Sequence, residues 1–124
     1  MASYVEGSYR SFEAGADLSD NAYQVVKTDA DGKAVLATAA TDAIVGVIEK
    51  PSKAGETTSV AMISGAGTYK VKTGANVAKD AYLTTNGSGL AISTTTSGNR
   101  VFGRALTAGT SGDVIEYVKC NEKY

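Results

Sequence analysis

Four features carry residue types that could do chemistry, and each has a plainer structural reading. Asp29-Ala30-Asp31-Gly32 opens like a calcium loop, where alternating carboxylates and a tight glycine surround a hard cation. The third acidic ligand is missing, and Ala40 stands where the bidentate glutamate belongs. An Asp-Gly hairpin turn accounts for these residues better, because both tolerate positive φ. Ser64-Gly65-Ala66-Gly67 has the glycines of a phosphate-cradling loop, without the Gly-Lys-Ser/Thr ending or a following helix. Cys120 is the single cysteine, and the chain has no histidine to activate it. The absence of histidine also removes the commonest general base and metal ligand. Asn86-Gly87-Ser88 spells a glycosylation sequon but reads as a turn. The carboxylates Glu13, Asp17, Asp42, Glu56, Asp113 and Glu116 are dispersed, and no pair stands out. The expectation is a protein that is not an enzyme and has no catalytic residue, metal site or cofactor.

Composition narrows the partners. The net charge is −1 and the pI about 5.3, with lysines and arginines scattered singly, so no basic footprint for nucleic acid is expected. The longest apolar run, Ala43 to Ile48, is far shorter than the ~18–20 residues of a membrane span. Met1 to Gly7 has neither the basic nor the apolar region of a signal peptide, and one cysteine makes no disulfide framework. Synthesis in the cytoplasm is expected, with no membrane partner. The chain's 124 residues fit one domain, rich in glycine and tyrosine and without tryptophan.

The elements available to position any site are short strands. Ala43 to Ile48 and Thr57 to Ile63 read as strand, loop, strand, and the unit returns as Arg100 to Ala105 and Val114 to Val118. Gly46 and Gly55 are nine residues apart, as are Gly103 and Gly112. Gly15 to Tyr23 matches Gly74 to Tyr82 at an offset of 59, whereas from Lys33 and Leu90 onward the offset is 57. The two-residue difference is expected inside the Asp29–Gly32 turn, where insertions are tolerated. Ile63 to Thr73 reads as a hairpin bridging the halves. No window sustains a helical period. The spacing predicts an all-β fold, a compact small barrel or sandwich of short strands, with pseudo-repeats at about 15–63 and 74–120 within one domain, 15–124. One barrel and two small lobes are both open.

Met1 to Ala14 is polar but carries Tyr4, Tyr9 and Phe12. It reads either as an extended N-terminal arm, 1–14, or as an edge strand of the domain's own sheet. Aromatics on a polar arm suit a contact completed by another chain. Tyr69, Tyr82 and Tyr117 lie in strand-like runs, where a ring on the core is the default.

Taken together, these residues resemble the capsid decoration (head cement) proteins of tailed bacteriophages. The likeness runs through Tyr4-Val5-Glu6-Gly7, Phe12 to Ala16, Val45-Gly46-Val47 and Gly55-Glu56. It continues through Gly65 to Val71, Gly74 to Tyr82, Gly103-Arg104-Ala105 and Gly112-Asp113-Val114. The resemblance implies a structural protein of the virion, on the exterior of the capsid, often a homotrimer that binds the major capsid protein and stabilises the head. It implies a capsid-binding arm, here Tyr4, Val5, Tyr9, Arg10 and Phe12. Lys50, Pro51, Lys53 and Glu56 form a candidate intersubunit loop, more polar than the alanine-rich turn of that family. The alternative is a carbohydrate- or surface-binding β module of a phage fibre or adhesin, which would normally display tryptophan or clustered tyrosines.

Overall fold

The computed structural model describes residues 9–64 and 67–124. Among these residues there are ten strands and no helix. They are β1 (Tyr9–Glu13), β2 (Val25–Thr28), β3 (Ala34–Leu36), β4 (Ile44–Lys50), β5 (Thr57–Met62), β6 (Thr68–Lys72), β7 (Tyr82–Thr85), β8 (Ala91–Ser93), β9 (Arg100–Ala105) and β10 (Val114–Lys123). One antiparallel sheet has the order β1-β5-β4-β2-β3 and the other β6-β10-β9-β7-β8. The second order is the first advanced by five strands. The duplication is therefore architectural: each half forms one five-stranded sheet, and the sheets pack as a small sandwich without closing into a barrel.

The structure moves three sequence-based boundaries. β1 and β6 head the two repeats, so Thr68–Lys72 is the first strand of the second sheet, paired with β10, and not half of a bridging hairpin. Residues 9–13 take the second reading left open for the N-terminal stretch. They form edge strand β1, in register with β5 from Tyr9↔Ala61 to Glu13↔Thr57. The two-residue difference lies before β2, not in the turn. Leu18 N–H donates to Ser52 O and Val77 N–H to Gly109 O, which keeps the offset of 59 up to that point. Tyr23 N–H donates to Ile48 O and Asp80 N–H to Ala105 O, already at 57. Tyr23 (φ 64) thus corresponds to Asp80 (φ 70), the two non-glycine residues with positive φ among those described. Tyr23 and Tyr82, alike in side chain, therefore occupy backbone positions that differ by two.

Burial explains why the repeats diverge in sequence. In the first sheet, Val25 and Val26 are adjacent and fully buried, as are Val47 and Ile48. Neighbours along a strand face opposite ways, so this sheet is covered on both faces, and its strands read as continuous apolar runs. Val26, Ile48 and Val60 join Phe12, Ala14, Leu18 and Ala34 in a cluster on one face. Val25, Ile44 and Val47 join Val71, Val77, Leu83, Phe102, Ala105, Ile115 and Tyr117 in the core shared with the second sheet. The second sheet is likewise buried on both faces along residues 83–85 and 101–103, and its outer face opens around Tyr82 and Arg104. There Leu83 and Ala105 are buried beside exposed Tyr82 and half-buried Arg104.

Candidate functional site

Turn chemistry fixes the loops. The Asp29 carboxylate accepts the N–H groups of Asp31 and Lys33, both at 2.9 Å. In the second copy Asn86 Oδ1 accepts those of Ser88 (2.9 Å) and Leu90 (3.0 Å). Glu56 and Asp113 cap their own loops likewise, accepting from Lys53 N–H (3.0 Å) and Thr110 N–H (2.8 Å). Asp29 and Glu56 are thus committed to closing turns. Among the described residues no cluster of three or more His, Cys, Asp or Glu could hold a metal ion. Burial pushes the Cys120 thiol up, away from the reactive thiolate.

The carboxylates that cap turns make stability depend on pH. Partial burial works to raise the pKa of Asp42, but the N–H groups of Thr38 (2.8 Å) and Ala39 (3.0 Å) and the Lys27 ammonium (3.3 Å) hold it below its ordinary value. Bonds from Ser19 lower Asp17 and bonds from Thr110 lower Asp113. A depressed folded-state pKa gives stability that is present above the unfolded value and lost as pH falls through the folded one. The melting temperature is expected to hold from neutrality to about pH 5 and to fall below about pH 4. Asp42→Asn should lower the plateau and flatten that acid limb, read by thermal unfolding followed by circular dichroism across the series.

The most distinctive open surface is the β1 edge. Among the described residues β1 ends its sheet, and an edge of this kind can pair with an added strand. A groove of about 420 Å³ beside it is lined by Tyr9, Arg10, Ser11 and Ser59. Tyr9 is 43% exposed and meets Tyr69 edge-on at 6.0 Å, and Lys119 Nζ lies 5.3 Å from the Tyr9 ring centroid. Tyr69 also meets Tyr23 at 6.1 Å, so three tyrosines bridge the two repeats at this corner. Burial, then the nearby Glu49 carboxylate, pushes the Tyr69 hydroxyl up, leaving it a neutral hydrogen-bonding group.

The residues assigned to the arm divide. Tyr9 and Arg10 are exposed at the groove, whereas Phe12 is buried in the core of the first sheet, with the Arg10 guanidinium 4.8 Å from its ring centroid. Tyr4 and Val5 lie outside the described residues. The loop Lys50–Glu56 sits at the other end of β1, where Gly55 N–H donates to Ala14 O and Leu18 N–H to Ser52 O. Lys50 and Lys53 are exposed there and Pro51 is half-buried. The groove and this loop adjoin, because Ser59 of the groove pairs with Lys50, the first residue of the loop, and with Ser11 of β1. Sequence reasoning missed Tyr69, Tyr23 and Lys119 as neighbours of Tyr9. Their convergence depends on the packing of one repeat against the other, for which no local pattern exists.

No protein-family model matches the sequence, and no curated protein matches it. Among solved structures, the chain is similar to the head fiber gp8.5 N base of bacteriophage phi29. The TM-score is 0.71 at 22% identity, over 94% of this chain and 96% of that one. At that identity the likeness is one of fold.

Proposed function

We propose that the chain is a non-enzymatic structural protein of a tailed-phage head, seated on the exterior of the major capsid lattice and stabilising it. The observation that carries this reading is the end-to-end fold likeness to a phage head-fibre base, which takes in both repeats. The β1 edge supports it as the attachment element. An unpaired strand edge offers backbone hydrogen bonds to a capsid strand, while Tyr9 and Arg10 beside the groove supply an aromatic anchor and a charge. Attachment of this kind needs no active site. Weak contacts per chain become firm when several chains of an oligomer, such as a homotrimer, engage together.

The test mixes purified protein with expanded heads that lack it, followed by sedimentation. Co-sedimentation is expected at roughly micromolar protein, and its absence would sink the reading. Tyr9→Ala combined with Arg10→Ala should weaken binding by roughly tenfold or more with the fold intact, since both side chains are exposed. Undiminished binding by that variant would move attachment to another surface.

A further inference from the structure

The two repeats are joined by a turn of one resting on a face of the other, and each partner of that junction has a vacant counterpart. Within the chain, the turn Asn86–Gly89 docks on the first sheet. Val25 N–H donates to Gly89 O (2.7 Å), and Gln24 Nε2 donates to Ser88 O (2.8 Å). Gly89 is buried there, and a Cβ at that position would lie 3.0 Å from Val25 O and 3.1 Å from Leu36 Cδ2. The corresponding turn of the first repeat, Asp29–Gly32, has the same internal hydrogen bonds and a matching glycine (φ 77, against 73 at Gly89). Yet Gly32 is exposed, with nothing within 4 Å of a Cβ placed on it.

The receiving face is also duplicated. At the offset of 57, Tyr82 stands for Val25 and Arg104 for Val47. Where the first repeat is covered, the second leaves Tyr82 41% exposed, with Tyr124 (46%) edge-on to it at 6.0 Å. Arg104 is held across this face by Asp80 at 2.7 Å. The substitutions at the vacant junction are complementary: exposed Ser88 of the docked turn becomes Asp31, and apolar Val47 of the receiving face becomes Arg104. In the first repeat, Leu36, Val45 and Met62 are only partly buried against the sheet's own cluster. Val45 corresponds to Phe102, which lies in the core shared by the repeats.

We propose that a second copy of this chain seats its Asp29–Gly32 turn on the neighbour's face around Tyr82, Arg104 and Tyr124, repeating between chains the junction made within one. Such a contact is heterologous, so copies join head to tail and close into a ring where the rotation allows. Exposed tyrosines flanked by an arginine match the composition of interface centres. The contact is independent of what the assembly attaches to.

Analytical ultracentrifugation of the isolated full chain tests it, using Asp31→Lys and Arg104→Glu. Both positions lie on exposed or half-exposed surface, and circular dichroism verifies that each variant is folded. The unaltered protein should self-associate at or below roughly 100 µM, and each variant alone should do so at least about tenfold more weakly. An equimolar mixture of the two should recover association. The lysine introduced in one variant then meets the glutamate introduced in the other, while Asp31 of the second meets Arg104 of the first. A protein that stays monomeric throughout, variants that associate unchanged, or a mixture that fails to recover would each overturn the proposal.

Discussion

Replacing Gly46 with alanine is expected to destabilise the fold by about 3 kcal/mol or more, a loss of roughly 10–15 °C in melting temperature. The cause is a close approach of backbone and not turn geometry. A Cβ at Gly46 would collide with the Ala61 carbonyl oxygen and lie 2.8 Å from Val60 Cγ1. Gly46 is buried in β4 and pairs with Met62 of β5, so these two inner strands of the first sheet would have to separate to admit the methyl group. Gly32 is the control. Its φ of 77 disfavours alanine, but a Cβ there meets nothing within 4 Å. Gly32→Ala should therefore cost only about 1 kcal/mol, from backbone strain alone. Chemical denaturation of both variants measures the difference, and near-equal losses would refute the close-approach account.

That pair of glycines shows how much of the molecule was legible beforehand. The equal Gly46–Gly55 and Gly103–Gly112 spacings disclosed the duplication, because each first glycine marks a tight strand crossing and each second one a turn at positive φ. Strand runs and Asp-Gly or Asn-Gly turns were readable because they are local. The register between repeats was not. It depends on Tyr23 and Asp80 sharing a left-handed backbone position, although nothing in their side chains is alike. The role of residues 9–13 was equally closed to inspection: Tyr9, Arg10 and Ser11 are exposed while Phe12 is buried, a pattern that fits an arm as well as an edge strand. The candidate surface was half visible. Tyr9 and Arg10 stood out as aromatic and charge on a polar stretch, but the tyrosines and lysine gathered around them come from β6, β10 and the segment before β2.

The second large effect is expected at Tyr117, the largest fully buried side chain among the described residues. Its ring meets Phe102 edge-on at 5.2 Å, and it lies over Gly103, where a Cβ would collide with Tyr117 Cδ2 and approach Val118 O at 2.8 Å. Truncation to alanine should cost about 3–5 kcal/mol, from lost burial and a cavity between the sheets. The hydroxyl tells a different story. It is buried and has no hydrogen-bond partner among the described residues, and burial pushes its pKa upward. An unpaired buried hydroxyl is a desolvation cost, so Tyr117→Phe should leave stability unchanged or raise it by about 1 kcal/mol. A clear loss in the phenylalanine variant would mean that the hydroxyl bonds a buried water. Tyr117 corresponds to Val60 in the first repeat, and this gives a sharper test. If the ring is what forbids a side chain at Gly103, then Gly103→Ala should be less damaging in a Tyr117→Val background than in the native one. A double-mutant cycle by denaturant unfolding should return a favourable coupling of about 1 kcal/mol or more. Strict additivity would assign the whole cost at Gly103 to the Val118 carbonyl, making the backbone crossing, and not the aromatic packing, the feature the two repeats share.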